Sequence, residues 1–343
     1  MAKTVDAVLA EQGLEPGRQG IARNGFMDDV RSLSRIDNPR AALIILRQWL
    51  VIALTFLVIA RWPHWTLFPL AMVVIASRQH ALGVIMHDAT HYRLFSRNWA
   101  NDFFSDILCA FPVGLSTSGY RYQHLLHHRH VNTEGDPYWR NFQEDPAMWA
   151  WPKTPSAALK ILLGDLFLIN LRPNMKGVSP WTPWPYLFGR GGKPGFSRAE
   201  HLRFFAFLAA AAALIHFTGL WLEFLLLWVL PGATILTVFG RIRAVAEHLG
   251  LPEEDEFSDT RHVDGSLLER LTICPLNINI HIAHHMFPSV PLYRLKELQT
   301  ILMGEEVYRR NARNYPSYFG WERGAVRELL RSSRPVTRGV EVS

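Results

Sequence analysis

The chain is poor in cysteine and in charge. It has two cysteines, Cys109 and Cys274, among 343 residues, and no CxxC pair. A disulfide framework and a zinc ribbon are therefore excluded. Charged residues make up 19% of the chain. The first 40 residues are polar and mixed in charge, so we expect no cleavable signal peptide.

Apolar residues are abundant but unevenly placed. The chain is 49% hydrophobic, with 12 Trp and 20 Phe, yet its mean hydropathy is only +0.03 because polar stretches offset long apolar runs. This unevenness predicts an integral membrane protein with substantial polar parts. The formal net charge is +6, which suits either nucleic acid or anionic lipid. The apolar runs favour membrane lipid, and we expect no nucleic-acid partner.

Three long apolar runs predict the membrane topology. They cover residues 42–60, 66–86 and 204–239. One crossing needs about 20 residues, so the third run is a helical hairpin with its turn near 219–223. The result is an all-α fold with about four transmembrane helices in two hairpins. Arginines flank the same end of every span, which predicts a cytoplasmic location for this end and for both termini: Arg31, Arg35, Arg40, Arg78, Arg93, Arg97, Arg198, Arg203, Arg241 and Arg243.

Two further apolar segments are too short or too polar to span. Residues 157–171 contain Lys160 and Asp165, and they predict an interfacial segment. Residues 291–303 predict an amphipathic helix at the membrane surface.

Histidine is concentrated in three short clusters on the predicted cytoplasmic side. They are HDATH at 87–91, HLLHH at 124–128 and HIAHH at 281–285. Residues i, i+3 and i+4 of a helix share a face, so each cluster presents two or three imidazoles to one point. By chance one HxxHH is expected roughly 0.03 times in such a chain. The clusters therefore indicate a metal site rather than ordinary surface histidines.

Eight imidazoles exceed the needs of one metal ion. A tetrahedral zinc site takes four ligands, so two ions sharing the set fit better. Imidazole suits iron, zinc, copper and nickel, and ligand type alone leaves the element open. His248, just beyond the fourth span, is a ninth candidate, with an ordinary interfacial histidine as the alternative.

At these residues the chain resembles the membrane fatty acid desaturase and hydroxylase superfamily. The box order, the box spacing and the two hairpins agree over roughly 40–300. The contexts HHRHVNTEGDPYW at 127–139 and NINIHIAHHMFPSVPLYRL at 277–295 resemble the second and third boxes. The resemblance implies a di-iron centre, in a cytoplasmic helical cap, that uses O₂ to remove hydrogen from an unactivated C–H bond. The implied metal ligands are His87, His91, His124, His127, His128, His248, His281, His284 and His285.

The resemblance also implies an organisation and partners. Residues 1–40 are an N-terminal cytoplasmic segment, 41–300 a membrane desaturase-like domain and 301–343 a C-terminal cytoplasmic segment. The substrate is a lipid or acyl group. The chain has no HPGG haem motif, ferredoxin cysteine pattern or GxGxxG opening a helix. An external donor is therefore expected: a ferredoxin, cytochrome b5 or a flavoprotein reductase.

Within the superfamily, some acyl-CoA desaturases carry Asn one helical turn before the isolated histidine, where this chain has Ala244. A water-mediated metal contact of that kind is thus in doubt. His130, beside the second box, is expected to lie outside the ligand set.

Other side chains are candidates for supporting roles, each with an ordinary structural alternative. The acidic residues near the boxes would fix ligand tautomers: Asp88, Glu134, Asp136 and Glu247. The apolar candidates would line a substrate tunnel: Phe103, Phe104, Leu108, Phe111, Leu115, Trp139 and Trp149. The cationic candidates would meet an anionic headgroup or a donor protein: Arg121, Arg129, Arg294 and Lys296.

Three functions remain open. The third-box context favours a fatty acid desaturase that introduces a C=C bond. A hydroxylase or ketolase acting on a fatty acid, alkane, carotenoid or sphingoid base would use the same centre. A non-enzymatic metal-binding membrane protein such as a transporter is the third. Transporters place such ligands at the bilayer midplane, whereas these clusters lie outside the predicted spans.

Overall fold

The computed structural model describes residues 26–184, 197–251, 257–320 and 323–331. The beginning of the predicted N-terminal segment and the end of the C-terminal one lie outside the described residues. The fold is all-α, as predicted, with one pair of two-residue strands. Helix α1, Met27–Leu33, buries Val30 and Leu33 against the core and leads into the first hairpin.

The first hairpin consists of α2, Asn38–Arg61, and α3, Leu67–Thr90. Asp37 caps α2 by accepting a hydrogen bond from the Arg40 N–H at 3.0 Å. The turn between the helices is the aromatic Trp62–Trp65 stretch. Helix α3 continues past the apolar run as predicted, and it packs against α2, the second-box helix and the end of the fourth span.

Six helices lie between the hairpins in the described residues: α4 Asn98–Ser105, α5 Thr117–His130, α6 Pro137–Glu144, α7 Pro146–Trp149, α8 Pro155–Leu166 and α9 Leu171–Val178. A π turn, Asp106–Ala110, and a 3₁₀ turn, Phe111–Val113, follow α4. A second 3₁₀ turn, Ser179–Trp181, follows α9. Short helices with frequent prolines at their first turns make this region a compact layer at one end of the hairpins.

The second hairpin begins with α10, Arg198–Thr218, which opens on a reciprocal capping box between Ser197 and Glu200. It ends at Gly219, whose φ of +70° is the left-handed conformation that closes the helix. This is the turn predicted near 219–223. The fourth span runs over Trp221–His248. It contains α11 Trp221–Phe224, a π turn Leu225–Val229, α12 Leu230–Ala233 and α13 Ile235–His248.

Four helices in the described residues are long and apolar enough to cross a membrane, which confirms the predicted number of spans. Their outer faces expose large apolar side chains, including Leu43, Leu57 and Phe217. Such a belt is costly in water but stable against hydrocarbon. The chain is therefore a membrane protein.

The C-terminal part packs beneath the hairpins. Its helices are α14 Leu267–Thr272, α15 His281–Met286, α16 Leu295–Gly304, α17 Glu306–Asn311 and α18 Ala325–Arg331. Two 3₁₀ turns, Pro275–Asn277 and Leu292–Arg294, flank α15. Strands β1, His262–Val263, and β2, Asn314–Tyr315, pair in parallel, with His262 opposite Asn314. The amphipathic helix predicted at 291–303 is α16, which buries Leu295, Leu298 and Leu302.

Candidate metal centre

The predicted histidines converge at one end of the hairpins. His87 lies in the last turn of α3 and His91 caps its end, while His248 is the last residue of α13. Helix α5 carries the second cluster and α15 the third. All nine predicted side chains meet here, and His130, expected to lie outside the set, belongs to none of the metal-competent groups of the described residues.

Five of the rings form one group. They are His87, His91, His124, His128 and His284, whose ligand atoms all lie within 4.8 Å of one another. All of these rings except that of His128 are buried. The Nε2 atom of His124 is 3.0 Å from that of His91 and 2.9 Å from that of His128. The Nε2 atoms of His128 and His284 are 3.2 Å apart.

The remaining four rings form a second group beside the first. His127, His248 and His285 bring their ligand atoms within 4.8 Å of one another, as do His248, His281 and Glu247. The Nε2 atoms of His281 and His248 are 2.7 Å apart, and those of His285 and His281 are 3.1 Å apart. The ring of His285 stacks on that of His128 at 4.2 Å, which joins the two groups.

Local structure fixes the second-box helix against the first box. Ser116 caps α5 by accepting from the Gly119 N–H at 3.2 Å. Arg121 donates to the carbonyls that α3 leaves open at its end, those of Thr90 and Ala89, each at 3.0 Å. It also pairs with Asp102. Arg121 thus supplies donors at a helix C-terminus, where the last carbonyls lack helical partners, and it is not available for a headgroup.

The third box follows a sharp backbone turn. Leu276 and Asn277 have φ of 59° and 64°, a left-handed conformation uncommon for residues other than glycine. The Asn277 side chain donates to the Leu292 carbonyl at 3.1 Å, and that of Asn279 donates to the Val263 carbonyl at 2.7 Å. These amides hold α15, a helix of only six residues, in its place.

One of the four predicted acidic partners contacts a ligand ring directly. Asp136 is buried, and its Oδ2 accepts from Nδ1 of His127 at 2.9 Å. This leaves Nε2 of His127 facing the second group, where it has no hydrogen-bond partner among the described residues. A buried ring nitrogen with a fixed tautomer and no partner is the arrangement expected of a metal ligand.

The other acidic candidates behave differently. Asp88 accepts from the Leu292 N–H at 3.3 Å and so braces the loop after the third box. Glu134 is exposed. Glu247 lies 3.8 Å from Nε2 of His281, too far for a hydrogen bond. Its oxygens instead accept from Arg243 and from the Tyr318 hydroxyl, the latter at 2.8 Å.

The site favours neutral imidazoles. Burial, and then the neighbouring imidazoles and arginines, lowers the pKa of these rings well below the ordinary value: His91, His124, His128, His281 and His285. Burial, followed by the charge of Arg243, lowers the pKa of His284 to about 3. Neutral rings keep lone pairs available, and several Nε2 atoms that face one another can direct them to a shared cation. The donor set therefore fits a pair of transition-metal ions.

A cavity of about 1940 Å³ adjoins the histidines. It is bounded in part by α2, α3, α10 and the fourth span, and five of the histidines line it: His87, His124, His127, His248 and His281. Of the apolar candidates, Phe111, Leu115 and Trp149 line it. Phe103 and Phe104 lie partly exposed at the surface and do not line it. Sequence reasoning missed Trp49, Trp181 and Trp228, which lie far from the boxes in the sequence, and Tyr120 and Tyr138, which lie near the second box but were assigned no role.

Comparison with known proteins decides the family. Residues 60–317 match the family described as "Fatty acid desaturase". The chain belongs to the fatty acid desaturase family. It is thus an oxidoreductase, and the resemblance seen in its histidine boxes is confirmed.

Three relatives illustrate the range of this family. Dihydrorhizobitoxine desaturase of Bradyrhizobium elkanii is 27% identical over 83% of this chain and 81% of that protein. An sn-1 oleoyl-lipid 12-desaturase of Arthrospira platensis is 26% identical over 76% of this chain and 75% of its own length. An sn-1 acyl-lipid omega-3 desaturase (ferredoxin) of Nostoc sp. (strain 36) is 24% identical over 77% of this chain and 76% of that protein.

Proposed function

We propose that this chain is an O₂-dependent di-iron desaturase that introduces a C=C bond into the acyl chain of a membrane lipid. The observation that carries the proposal is the convergence of nine histidine rings, in two adjoining groups, beside a largely apolar cavity that several of them line. Removing hydrogen from an aliphatic carbon is beyond acid–base side chains, so a redox metal must supply the chemistry.

The two groups give each metal its own ligand set. The first would be held by His87, His91, His124, His128 and His284, and the second by His127, His248, His281 and His285. When bound, the iron pair supplies the oxidising power for C–H cleavage with O₂. Ala244 lines the cavity beside this second set and has no polar side-chain atom. Glu247, 3.8 Å from Nε2 of His281, brings a carboxylate oxygen close to this set.

The protein's own residues position the substrate and the ligands. The cavity is lined mostly by apolar side chains, so an extended acyl chain is its fitting occupant. Asp136 holds His127 in the tautomer that presents Nε2. Trp49 and Trp228 stack at 5.9 Å and form part of the wall between the hairpins.

A membrane lipid is the proposed substrate because the cavity reaches the lipid-facing helices α2 and α10. The names of several relatives specify acyl-lipid or oleoyl-lipid desaturases. One relative is named for dihydrorhizobitoxine, so a different amphiphile is the second candidate. The electron donor is external, and a ferredoxin is proposed from the printed name of the Nostoc relative. The arginines at the ends of the spans support a cytoplasmic metal centre.

Lipid analysis of a host that expresses the chain tests the proposal. The wild type should produce acyl chains that lack two hydrogens, and His284→Ala should produce none, while inserting into the membrane at the same level. His130→Ala is the matched control and should remain active, since His130 lies outside the ligand groups. Acyl products that gain an oxygen would instead identify a hydroxylase. Activity retained by His284→Ala would reject the assigned ligand set.

A further inference from the structure

One buried arginine in the cavity wall has an unused donor. Arg241 lies on α13, seven residues before His248, and both residues line the cavity together with Ala244 between them. Residues i, i+3 and i+7 share one face of a helix. This face therefore leads from Arg241 directly to the histidine centre, over roughly 10 Å at the rise of an α-helix.

The contacts of Arg241 neutralise its charge, but they do not supply an acceptor for every N–H group of the guanidinium. Asp165, on α8, accepts from Nε and, at 3.0 Å, from Nη2, while Asn174 accepts from Nη2 at 2.7 Å. The guanidinium also lies over the Trp149 ring at 4.4 Å. Nη1 is buried and has no hydrogen-bond partner among the described residues. A buried donor left without an acceptor is costly, so an acceptor from outside the chain is expected there.

The pairing of the Arg241 guanidinium with Asp165 determines which kind of acceptor suits Nη1. Because the Asp165 carboxylate already neutralises the guanidinium, the remaining N–H groups suit a neutral oxygen better than a second anion. Arg243 also lines the cavity, but its N–H groups are directed to Glu247 and to His80, the latter at 3.3 Å. Arg241 is thus the cavity arginine with a donor to spare in the described part of the chain.

We propose that Nη1 of Arg241 donates a hydrogen bond to the acyl carbonyl oxygen of the substrate, and that this contact sets the position of the double bond. The inference rests on the proposed function. The backbones of Arg241 and His248 are separated by about 10 Å along the helix axis, so a carbonyl bound at Arg241 leaves several bonds between itself and the reacting carbons, in the middle of a long chain. The position is then counted from the carboxyl end rather than from the methyl end.

A chain-length series on the wild-type enzyme tests this directly. Membranes containing the full chain are supplied with saturated acyl groups of increasing length, each presented as a glycerolipid and as a CoA thioester. The double bond should stay at a constant number of carbons from the carbonyl in every arm that reacts, because both carriers present that oxygen. A bond that keeps a constant distance from the methyl end would overturn the proposal. An absence of any double bond in all arms would instead reject the proposed function.

Substitution of Arg241 distinguishes a role in binding the acyl carbonyl from a purely structural role. Arg241→Lys preserves the charge facing Asp165 but removes the planar donor, so KM should rise several-fold, more than kcat falls, and products should carry double bonds at neighbouring positions. Arg203→Lys is the matched control, since it alters a similar pair with Asp106, at 2.8 Å, outside the cavity. The control should leave the bond position unchanged. A single unshifted position in Arg241→Lys, with KM unaltered, would contradict the proposal.

Discussion

At the residue scale, histidine spacing predicted which rings converge but not which acid supports them. Glu134 and Asp136 stand two residues apart in the same loop, and both are plausible partners by sequence. The fold separates them because Asp136 caps α6, accepting from the Tyr138 N–H at 2.8 Å. The Asp136 carboxylate is buried between this helix terminus and the His127 ring, whereas Glu134 remains in solvent. Which of the two carboxylates contacts a histidine ring depends on the tertiary structure, and the local sequence pattern does not determine it.

Asp136→Asn should weaken metal binding while preserving the helix cap. An Asn side chain still accepts from the backbone, but it no longer offers His127 the negative charge that favours the Nδ1–H tautomer. We expect metal affinity to fall 10- to 100-fold, the usual cost of losing such a partner. Chelator titration of the purified protein measures it. Asp145→Asn is the control, because Asp145 caps α7 without touching a ring, and equal losses in both variants would refute the assigned role.

At the scale of elements, the apolar runs predicted both hairpins and the turn at Gly219, since length and hydrophobicity fix a membrane helix almost alone. The irregular turns were not predictable. Pro112 has no N–H and leaves the Leu108 carbonyl without a helical donor. The Trp49 indole, from a different helix, donates to that carbonyl at 3.0 Å. Trp228 likewise donates to the Pro112 carbonyl at 2.9 Å.

Trp49→Phe should destabilise the packing between α2 and the turn at Pro112. The variant leaves a partly buried carbonyl without its donor, which costs about 1 kcal/mol. Thermal unfolding in detergent should therefore show a lower Tm than for the wild type. Trp62→Phe provides the comparison, because Trp62 is 60% exposed. A Tm that falls equally in the two variants would show that the Leu108 contact contributes nothing.

At the scale of the whole molecule, the C-terminal part contacts the region of the metal centre through residues that are far apart in the sequence. Tyr308 and Tyr318 are fully buried, and the Tyr318 hydroxyl donates to Glu247, 71 positions earlier in the chain. The family match likewise reaches residue 317. Periodicity describes neighbours along a helix, so it predicts nothing about such a long-range hydrogen bond. The division of the chain at 300 remains a prediction from the sequence.

The stability of the metal-free protein should fall as the pH falls. The pKa of His284 is lowered to about 3, so the folded state keeps this ring neutral while the unfolded chain takes up a proton below about 6.5. The contribution of this neutral ring to the free energy of unfolding is therefore fully present above pH 6.5. It is lost progressively as the pH falls from 6.5 to 3. The other buried rings with lowered pKa values act in the same direction. Tm measured from pH 8 to pH 5 should decrease, and a rise would mean that these rings are protonated in the fold.

The metal content of the purified full-length protein tests the central claim most directly. Iron measured by mass spectrometry, with zinc measured in the same sample, should give two iron ions per chain in the wild type. His91→Ala and His281→Ala, one from each group of rings, should each reduce the iron content, and His130→Ala should not. An active wild-type enzyme that contains no iron, or one whose iron content is unchanged by both substitutions, would contradict the account.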